Sequence, residues 1–462
     1  MKADFAKFKT EIDSACFSED PINNTLHSYD ATNEFHLPAG VVRPRNEFDL
    51  QQIIRSANAN FIPLVPRGAG TGFSGGALPL NKGGKLCSPS VVIDFLGMNK
   101  ILELDEDDMV AKVQPGLVTF QFQEYVEQKG FFYPPDPASL KTCTLGGNVA
   151  ENAGGPRCLK YGLTRDYVLA IDGFTGDGKP FHVGKGVLKN RSGYDLRHIL
   201  IGSEGTLGVF SSILLKLRPK PEDRILFIAF FDDFNEATGM VNTLLHKGIQ
   251  PSSMEFMDEF SVRAVERHGK FGLPLNYQAL LLIEADGRSD EIPFLKRRIE
   301  DSLKVSAKEI RIAIEHYEQE AFWDIRRKTS PALRAFGNKK ANEDISVPRK
   351  SIPAVIRGLR EIADKNRINL INFGHIGDGN IHVNIMYDGK NPDDQFRVNL
   401  ALTNIASLVN EVHGAISGEH GVGTVKKRFL PGNVDSVSYD LMRAIKKDFD
   451  PNGILNPGKM LY

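Results

Sequence analysis

Residues 65–76 read Val-Pro-Arg-Gly-Ala-Gly-Thr-Gly-Phe-Ser-Gly-Gly, and this stretch decides how the N-terminal half of the chain is interpreted. Glycine permits positive φ and lets backbone N–H groups approach a phosphate, so the stretch predicts an anion-binding turn after a strand. It also matches the dinucleotide pattern G-x-G-x-x-G, with Asp94 at the end of a later strand. A Rossmann unit requires a helix directly after the glycines, but residues 77–89 contain two prolines and two glycines and predict none. A nicotinamide site is therefore not expected, and this loop alone leaves open a glycine-rich turn that binds nothing.

Two further loops of the same chemistry strengthen the ligand interpretation. Residues 134–155, PPDPASLKTCTLGGNVAENAGG, combine glycines with prolines and small hydroxyl residues, and 201–208 read IGSEGTLG. Three such loops are hard to explain as turns alone. A single extended, phosphate-bearing ligand threaded between them explains all three.

The surrounding sequence divides into regions of different texture. Residues 36–218 are rich in glycine and short β-branched runs, and they open with a predicted β-α-β unit: a strand at Val41–Val42, a helix capped by Asn46 and a strand at Ile62–Val65. From Pro219 to about residue 425, apolar strands alternate with long charged helices, which predicts a smaller α+β domain. The predicted strands there include 225–231 and 279–285, and the predicted helices include 234–248 and 291–304.

Two prolines in the PKPED stretch at 219–223 make it the best linker candidate. We therefore expect a ligand-binding domain over 1–218, a cap over 219–425 and a segment over 426–462 that returns to the first domain. The last segment is expected to contain one amphipathic helix from about 434, followed by the turn DPNGILNPGKM.

The strongest chemical pattern lies in residues 369–384, NLINFGHIGDGNIHVN. Two apolar runs flank Asp378–Gly379, a pair typical of a two-residue type I′ hairpin turn. In that hairpin, paired residue numbers sum to about 757, so His375 would face His382 with β-carbons roughly 4.5–5.5 Å apart. Asn384 would share their face. Two histidines packed across a hairpin without a metal remain the alternative.

A third metal ligand is available in SGEHGVG at 417–423, where Glu419 and His420 stand between glycines. Two imidazoles and one carboxylate form an open site that suits Zn²⁺, with Mn²⁺ and Fe²⁺ as alternatives, and leave positions for a substrate.

Bulk properties exclude several classes of function. The 462 residues carry a formal net charge of -1, which gives no support to a nucleic-acid or anionic-membrane partner. No signal-peptide pattern and no apolar run near the ~20 residues of a membrane span is present, so a cytoplasmic protein is expected, peripheral to a membrane only through a partner. The four cysteines, Cys16, Cys87, Cys143 and Cys158, include no C-x-x-C pair, which is typical of reduced thiols and excludes an iron–sulfur cluster held by this chain alone.

In combination, PRGAGTGFSGG, PPDP with TLGGNVAENAGG, GSEGTLGV and the terminal NPGKM resemble the FAD loops of the PCMH-type (vanillyl-alcohol oxidase) family, and among its members the glycolate oxidase, D-lactate dehydrogenase and D-2-hydroxyglutarate dehydrogenase group. The resemblance runs from about residue 36 to the C-terminus. It implies an α+β fold, in which an FAD-binding domain of two α/β subdomains, here 1–218, is joined to an α+β cap and a C-terminal helical segment. It also implies non-covalent FAD, because no histidine stands at Gly70–Thr71, where covalently flavinylated relatives often have one.

The resemblance implies three groups of cofactor-binding residues. The pyrophosphate would be held by Pro66, Arg67, Gly68, Ala69, Gly70, Thr71, Gly72 and Ser74. The flavin would be lined by Pro135, Asp136, Thr144, Gly146, Gly147, Asn148, Asn152, Gly154 and Gly155. Glu204, Gly205 and Gly208 would lie near the adenosine, and Asn456 and Lys459 would close the site.

GHIGDGNIH together with SGEHGVG resembles the metal-binding pattern of the 2-hydroxy-acid group, which favours His375, His382 and Glu419 as ligands. A metal there would lower the pKa of a substrate hydroxyl, His420 would take its proton as general base, and hydride would pass to flavin N5. Asn384 would hydrogen-bond the substrate.

Two cations are candidates for the substrate carboxylate. Trp323-Asp-Ile-Arg326 resembles the Trp-x-x-Arg of the family, and Arg326 could grip a carboxylate bidentately, although a solvated helix arginine is the alternative. Lys340 is the second candidate. Because the lysine of the D-2-hydroxyglutarate enzymes would align near Asn342, the sequence favours D-lactate or glycolate and keeps D-2-hydroxyglutarate open.

The resulting hypothesis is an FAD- and metal-dependent D-2-hydroxy-acid dehydrogenase that passes electrons to a separate acceptor, either an electron-transferring flavoprotein, an iron–sulfur subunit or a quinone. Two alternatives remain at this point: a flavin subunit that only relays electrons in a larger complex, and a metal-free oxidase or synthase of the same fold. The sequence leaves the oligomeric state open, a homodimer included.

Overall fold

The structure is a computed structural model that describes residues 3–80 and 90–461. The chain divides into two compact units. Unit 1 contains the chain up to Ala153, Leu163–Lys220 and the chain from Glu419 onward, whereas unit 2 contains Gly154–Gly162 and Pro221–Gly418. The chain thus returns to unit 1 at Glu419, seven residues before the expected position, and a short segment of the TLGGNVAENAGG region groups with unit 2.

The strands are, in chain order, β1 Phe17–Ser18, β2 Gly40–Val42, β3 Leu64–Arg67, β4 Val91–Asp94, β5 Ile101–Asp105, β6 Val110–Val113, β7 Phe131–Phe132, β8 Val168–Phe174, β9 Pro180–Gly184, β10 Val209–Lys216, β11 Arg218–Pro219, β12 Asp223–Phe231, β13 Ser253–Asp258, β14 Ala279–Gly287, β15 Glu309–Ala313, β16 Lys339–Ser346, β17 Asn369–His375 and β18 Asn380–Tyr387. The α-helices are α1 Phe5–Glu11, α2 Pro21–Leu26, α3 Glu47–Ala59, α4 Thr119–Glu127, α5 Leu145–Glu151, α6 Cys158–Tyr161, α7 Leu196–Leu200, α8 Phe234–His246, α9 Glu259–Gly269, α10 Ile292–Leu303, α11 His316–Ala332, α12 Ile352–Asn366, α13 Pro392–Glu411, α14 Leu430–Asn433 and α15 Ser436–Phe449.

Unit 1 contains two main sheets, as expected for two subdomains. The first has the order β1-β2-β4-β3, and the second has the order β5-β6-β10-β8-β9. The predicted β-α-β unit is confirmed: β2 and β3 both run parallel to β4, and α3 connects β2 to β3. The Asn46 side chain accepts a hydrogen bond from Asp49 N–H at the start of α3, and Leu50, Ile53, Ile54 and Ala57 recur at helical spacing and are buried.

The expectation that no helix follows the first glycine loop is confirmed for residues 68–80, where the backbone has no helix. The remaining part of that expectation falls on residues 81–89, which lie outside the described residues, as does Cys87. Among the described residues, Cys16, Cys143 and Cys158 form no disulfide bond, and Cys16 and Cys143 are buried.

Unit 2 is built on one antiparallel sheet with the order β15-β12-β14-β13-β17-β18-β16. The strands predicted at 225–231 and 279–285 lie within β12 and β14, and the helices predicted at 234–248 and 291–304 correspond to α8 and α10. One face of the sheet packs against α9 and α11 through an apolar cluster that includes Leu226, Ile228 and Phe230 of β12, together with Val265 and Trp323. Because side chains alternate along a strand, every second residue points to the same face. His375 therefore shares the face of Phe373, and His382 shares the face of Met386.

The register predicted for the β17–β18 hairpin is wrong by two residues. Phe373, not His375, lies directly opposite His382, so paired numbers sum to 755. The connection comprises residues 376–379 because Asp378 N–H bonds His375 O at 3.2 Å and Val347 N–H bonds Gly379 O at 3.0 Å. These hydrogen bonds stabilise a four-residue connection in place of the predicted two-residue Asp-Gly turn. A shift of two residues preserves the face on which each side chain points, so both histidines still share one face.

The C-terminal segment contains the expected helix, α15, whose N-terminus is capped by the Asp435 side chain through Ser438 N–H. After it, Leu455 pairs with Leu64 of β3, which joins the NPGKM turn to the first sheet of unit 1. Within the described part of the chain, none of the helices combines the length and the apolar character that crossing a membrane requires.

Candidate functional site

Two buried histidines converge on the polar end of the unit 2 sheet face. His375 Nε2 and His382 Nε2 are 3.3 Å apart, and their ring planes are inclined at 85°. His375 Nδ1 is 2.7 Å from Glu255 Oε1 on β13, the strand that pairs with β17 at this position. A carboxylate on one ring nitrogen fixes the tautomer and leaves the other nitrogen with a lone pair for a ligand.

The geometry of the pair fits a divalent metal. Two imidazole nitrogens bound at about 2.0–2.1 Å to a tetrahedral Zn²⁺ lie roughly 3.3–3.4 Å from each other. The observed separation of 3.3 Å between the two Nε2 atoms has this value. The donor set is also of the type that borderline divalent ions prefer, because imidazole and carboxylate suit Zn²⁺, Mn²⁺ and Fe²⁺.

Arg326 on α11 also binds Glu255. Its Nε donates to Glu255 Oε2 at 2.6 Å, and its guanidinium lies 4.7 Å from the centre of the Phe373 ring. Burial alone would raise the pKa of Glu255, but the charges of His375 and Arg326 outweigh burial and lower it. One turn earlier, Trp323 Nε1 donates to the buried Glu284 at 2.9 Å. The two sides of the Trp-x-x-Arg pattern therefore each anchor one buried glutamate of the sheet.

Asp344 on β16 joins His382 to the chain segment that precedes Glu419. Asp344 lies opposite His382, and His382 Nδ1 is 3.7 Å from Asp344 Oδ1. Asp344 Oδ2 accepts hydrogen bonds from Ser417 Oγ at 3.1 Å and from Gly418 N–H at 3.0 Å. Asp344 and His382 each offer a ligand atom for a metal, and these two atoms lie within 4.8 Å of each other. Glu419 is the next residue in the chain after Gly418, and it begins the last part of unit 1.

Two of the predicted substrate residues, Asn384 and Lys340, are hydrogen-bonded within unit 2. Asn384 is fully buried, its Nδ2 donates to Ile371 O and His382 O, and its Oδ1 accepts from Asn342 at 2.7 Å. Both amide hydrogens of Asn384 are therefore used inside the sheet, and a hydrogen bond from this residue to the substrate stays a prediction. Lys340 Nζ donates to Ser330 Oγ on α11 at 3.1 Å, and its pKa is lowered by burial and by Arg334. It stands four residues along β16 from Asp344, roughly 13 Å at the usual rise of a strand.

In unit 1, His420 packs against an aromatic residue of the first glycine loop. The rings of His420 and Phe73 are 5.0 Å apart between centroids and inclined at 36°. His420 Nε2 is 3.9 Å from Glu419 Oε1. Both side chains are largely but not completely buried, at 16% and 14% exposure, so they remain accessible to a small molecule.

The first glycine loop has the properties of an anion site. Among the described residues, the backbone N–H groups of Ala69, Gly70, Thr71 and Gly72 donate to no protein acceptor. Gly70 has a φ of 68°, and a Cβ built on it would lie 2.2 Å from the Arg67 guanidinium. Consecutive N–H groups of this kind bind phosphates, and a buried arginine beneath them supplies positive charge. These residues fit the pyrophosphate of FAD.

The three loops converge within unit 1. A Cβ built on Gly68 would lie 2.2 Å from Thr144 Oγ1, so the first and second loops touch at that glycine. Asn456 Nδ2 donates to Gly76 O at 3.0 Å and to Glu204 O at 2.6 Å, which joins the first and third loops. Lys459 Nζ also donates to Gly76 O, at 2.7 Å.

Some residues predicted to line the flavin also form hydrogen bonds within the protein. Gly146 N–H donates to Pro115 O, and Gly147 N–H donates to Thr144 Oγ1. Asn148 Nδ2 donates to Thr119 Oγ1, and Pro135 O accepts from Gln123. The glycines Gly154 and Gly155 belong to unit 2. Position 146 requires glycine because of packing, since a Cβ there would lie 2.5 Å from Pro115 Cβ.

Three ionisable groups lie beneath the loops of unit 1: Glu204 and Lys459 are buried, and Glu151 is half-buried. Burial raises the pKa of Glu204, and hydrogen bonds from two backbone N–H groups oppose this rise. The pKa of Glu151 is raised first by burial and second by the charge of Glu204. Burial lowers the pKa of Lys459 to about 7 against the pull of the neighbouring carboxylates. Of the two carboxyl groups, Glu204 is the one whose pKa is held down by backbone N–H donors, those of Val422 and Gly423.

Sequence reasoning missed Glu255, Glu284 and Asp344. Each lies in a stretch of buried strand that carries two buried acids, and these stretches read SMEFMD, LLLIEAD and EDIS. A charge at such a position requires a partner, and this was the available signal. The identity of the partners was not readable, because they lie on other strands and on α11.

Comparison with known proteins agrees with this geometry. The profile described as "FAD linked oxidases, C-terminal domain" matches residues 220–460, and the profile "FAD binding domain" matches residues 38–184. Among solved structures, p-cresol methylhydroxylase has a TM-score of 0.78 at 16% identity, with 98% of this chain and 95% of that chain covered. A 4-ethylphenol oxidase from Gulosibacter chungangensis has a TM-score of 0.73 at 18% identity, with 99% and 96% covered. These likenesses show the PCMH-type, vanillyl-alcohol oxidase fold.

Curated relatives are similar along nearly the whole chain. The glycolate oxidase subunit GlcD of Bacillus subtilis (strain 168) is 38% identical over 96% of this chain and 93% of its own. A D-2-hydroxyglutarate dehydrogenase of Stutzerimonas stutzeri (strain A1501) is 32% identical over 98% of both. A D-lactate dehydrogenase of Archaeoglobus fulgidus is 35% identical over 91% of both. The chain belongs to the FAD-linked oxidase family and is an FAD-linked oxidoreductase of the glycolate oxidase, D-lactate dehydrogenase and D-2-hydroxyglutarate dehydrogenase group.

Proposed function

We propose that this chain oxidises a small D-2-hydroxy acid, D-lactate or glycolate in preference to D-2-hydroxyglutarate, to the 2-oxo acid with non-covalently bound FAD and one divalent metal. The metal ligands would be His375, His382 and Glu419. The single observation that carries the proposal is the 3.3 Å separation of two buried imidazole Nε2 atoms, one of them oriented from behind by Glu255.

The third ligand is supported by the chain path. Gly418 is hydrogen-bonded to Asp344, which faces His382 across two paired strands. Glu419 is the next residue in the chain, so it is separated by a single peptide bond from Gly418, which is hydrogen-bonded to the partner of His382. Asp344 would orient His382 as Glu255 orients His375, in the manner of carboxylates behind metal-bound imidazoles. Zn²⁺ is favoured, with Mn²⁺ and Fe²⁺ as alternatives.

The substrate carboxylate would be bound by Arg326. Only its Nε is used by Glu255, and among the described residues its terminal nitrogens donate to no protein acceptor. A guanidinium that is already fixed by one carboxylate and by the Phe373 ring offers its remaining edge in a single orientation.

The hydroxyl proton would be taken by His420. Its ring is fixed against Phe73, and its Nε2 is near the Glu419 carboxylate. An imidazole suits this role because its ordinary pKa lies near neutral pH. The metal supplies Lewis acidity toward the hydroxyl, and FAD supplies the acceptor for the hydride from C2.

The preference for a monocarboxylate is supported by Asn342. This neutral amide lies opposite Asn384 and bonds to it, where a lysine would be expected for a second substrate carboxylate. Electrons would leave to a separate acceptor, since the four cysteines form no motif for an iron–sulfur cluster.

The test is dye-coupled turnover of the FAD-loaded protein with D-lactate, glycolate and D-2-hydroxyglutarate, and with L-lactate as the matched stereochemical control. Turnover of a D-acid or glycolate that is lost after chelation, and restored by one divalent ion, is the expected result. Metal content is measured in parallel. A protein with no bound metal and turnover insensitive to the chelator would reject the metal assignment. An FAD-loaded protein inert toward every acid would support the electron-relay alternative.

A further inference from the structure

The side chain of Glu204 is directed toward the 417–423 loop. Its Oε1 accepts a hydrogen bond from Val422 N–H at 2.7 Å, and its Oε2 accepts one from Gly423 N–H at 2.6 Å. Glu204 is 4% exposed, so these bonds form out of water, where hydrogen bonds are stronger than at the surface.

The backbone of Glu204 is itself fixed. Its N–H donates to Ala150 O at 2.8 Å, its C=O accepts from Asn456 Nδ2, and its φ is 51°, in the left-handed region that a non-glycine residue rarely adopts. Such a conformation persists only where the surroundings impose it, and here it directs the carboxylate toward Val422 and Gly423.

The loop is tightly enclosed around these bonds. Gly421 has a φ of 86°, and a Cβ on it would lie 2.4 Å from Glu151 Oε2 and 3.1 Å from Glu204 Cδ. On the other side, Thr424 N–H donates to Ser74 O at 2.8 Å. The backbone after His420 therefore has no room to shift without breaking the bonds to Glu204.

Resting on the proposed function, we propose that Glu204 is a positioning residue: its carboxylate fixes the backbone of Val422 and Gly423 and thereby sets where Glu419 and His420 stand, instead of binding the adenosine of FAD. Glu419 and His420 are two to four residues away along a short glycine-bounded loop. Removal of the two bonds would loosen the backbone that carries both side chains.

The experiment uses full-length Glu204→Gln and Glu204→Asp proteins. An amide has one acceptor oxygen and turns an N–H donor toward the second backbone N–H, whereas aspartate keeps the charge and shortens the reach by one methylene. We expect the Val422 and Gly423 amides to exchange with deuterium roughly tenfold faster or more in both variants, because local opening becomes easier. We also expect Zn²⁺, measured by competition with a chelator, to bind about 10–100-fold more weakly, the range found when groups behind metal ligands are changed. FAD content should stay at the wild-type level.

A matched control is Glu266→Gln. The Glu266 carboxylate also accepts two consecutive backbone N–H groups, from Gly272 at 3.1 Å and Leu273 at 3.0 Å, but on a different loop in unit 2. It should speed exchange at those two amides and leave Zn²⁺ binding unchanged.

The outcomes separate the positioning role from the proposed function. Loss of FAD with unchanged Zn²⁺ affinity would overturn the positioning role in favour of the adenosine contact. Slow exchange at Val422 and Gly423 in Glu204→Gln would overturn it as well. If the wild-type protein binds no metal, the proposed function fails, while the exchange of the two amides still decides the positioning role.

Discussion

The glycine loops of unit 1 and the sheet face of unit 2 build their sites in opposite ways. In the glycine loops the groups that can bind a ligand belong to the backbone: Ala69 to Gly72 present N–H groups, and glycines are required where loops touch, as at Gly68 against Thr144. In unit 2 it is carried by side chains on rigid strands, with His375, His382 and Glu255 on one face. The first kind of site is encoded locally, whereas the second depends on strand pairing.

This difference predicts which substitutions act on which function. Changes to side chains of unit 2 should remove chemistry and leave FAD bound. Changes to glycines of unit 1 should alter FAD binding or folding and leave the metal ligands intact.

The largest effect is expected for His382→Ala. Without one of two imidazoles, a metal at this site loses a ligand and its fixed geometry, and kcat/KM should fall about a thousandfold, because metal assistance contributes several kcal/mol to the transition state. Steady-state kinetics with the preferred acid measures this. FAD absorbance should be unchanged. The control is His246→Ala, an exposed histidine at the end of α8. A loss smaller than tenfold in His382→Ala would contradict the assignment.

The second largest effect concerns the glycine loops of unit 1, and it is tested by substituting two glycines of the first loop. A Cβ at Gly68 meets Thr144 Oγ1 at 2.2 Å, whereas a Cβ at Gly72 meets nothing closer than Glu151 Oε1 at 3.8 Å. Gly68→Ala should therefore lower the free energy of unfolding of the apoprotein by about 1–3 kcal/mol through overpacking. Gly72→Ala should leave the apoprotein unchanged and weaken FAD if the pyrophosphate lies there. Thermal denaturation with and without FAD distinguishes the two, and equal destabilisation of both apoproteins would contradict this explanation.

A smaller effect is expected for Arg326→Lys. Lysine keeps the charge beside Glu255 but loses the planar pair of donors, so KM for the hydroxy acid should rise about tenfold with a smaller change in kcat. Kinetics at saturating dye measures both constants. Arg334→Lys, on the short helical turn after α11, is the control substitution. An unchanged KM would remove Arg326 from the substrate site.

The smallest effect concerns a buried carboxylate of unit 2 outside the site. Burial raises the pKa of Asp258 from 3.8 to about 7. Between about pH 4 and pH 7 the folded protein keeps a proton that the unfolded chain has lost, so this group makes stability fall as pH rises, by at most about 1.4 kcal/mol per pH unit. Below and above that window it contributes no slope.

Asp258→Asn should flatten that part of the pH profile, as measured by urea unfolding at several pH values. Its absolute stability should fall, because Asp258 accepts from Ser261 N–H and Asn372 N–H and an amide cannot accept both. A profile as steep as that of the wild type would show that Asp258 is not the titrating group.

The sequence alone determined the glycine loops, the β-α-β unit, several elements of unit 2 (β12, β14, α8, α10 and the β17–β18 hairpin), and the family. These features are local, because glycine spacing, helix caps such as Asn46 and apolar periodicity depend only on residues that are close together in the sequence. It also determined that His375 and His382 share a face, because a two-residue error in register does not change parity.

Only the tertiary structure decided the rest. The hairpin register followed from contacts of the connecting loop with Val347, a residue distant in sequence. The partners of the histidines, Glu255 and Asp344, come from strands more than 30 residues away, and the direction of the Glu204 carboxylate comes from a loop more than 200 residues away. Pairings over such separations depend on how the sheet and loops assemble, and no local pattern in the chain encodes them.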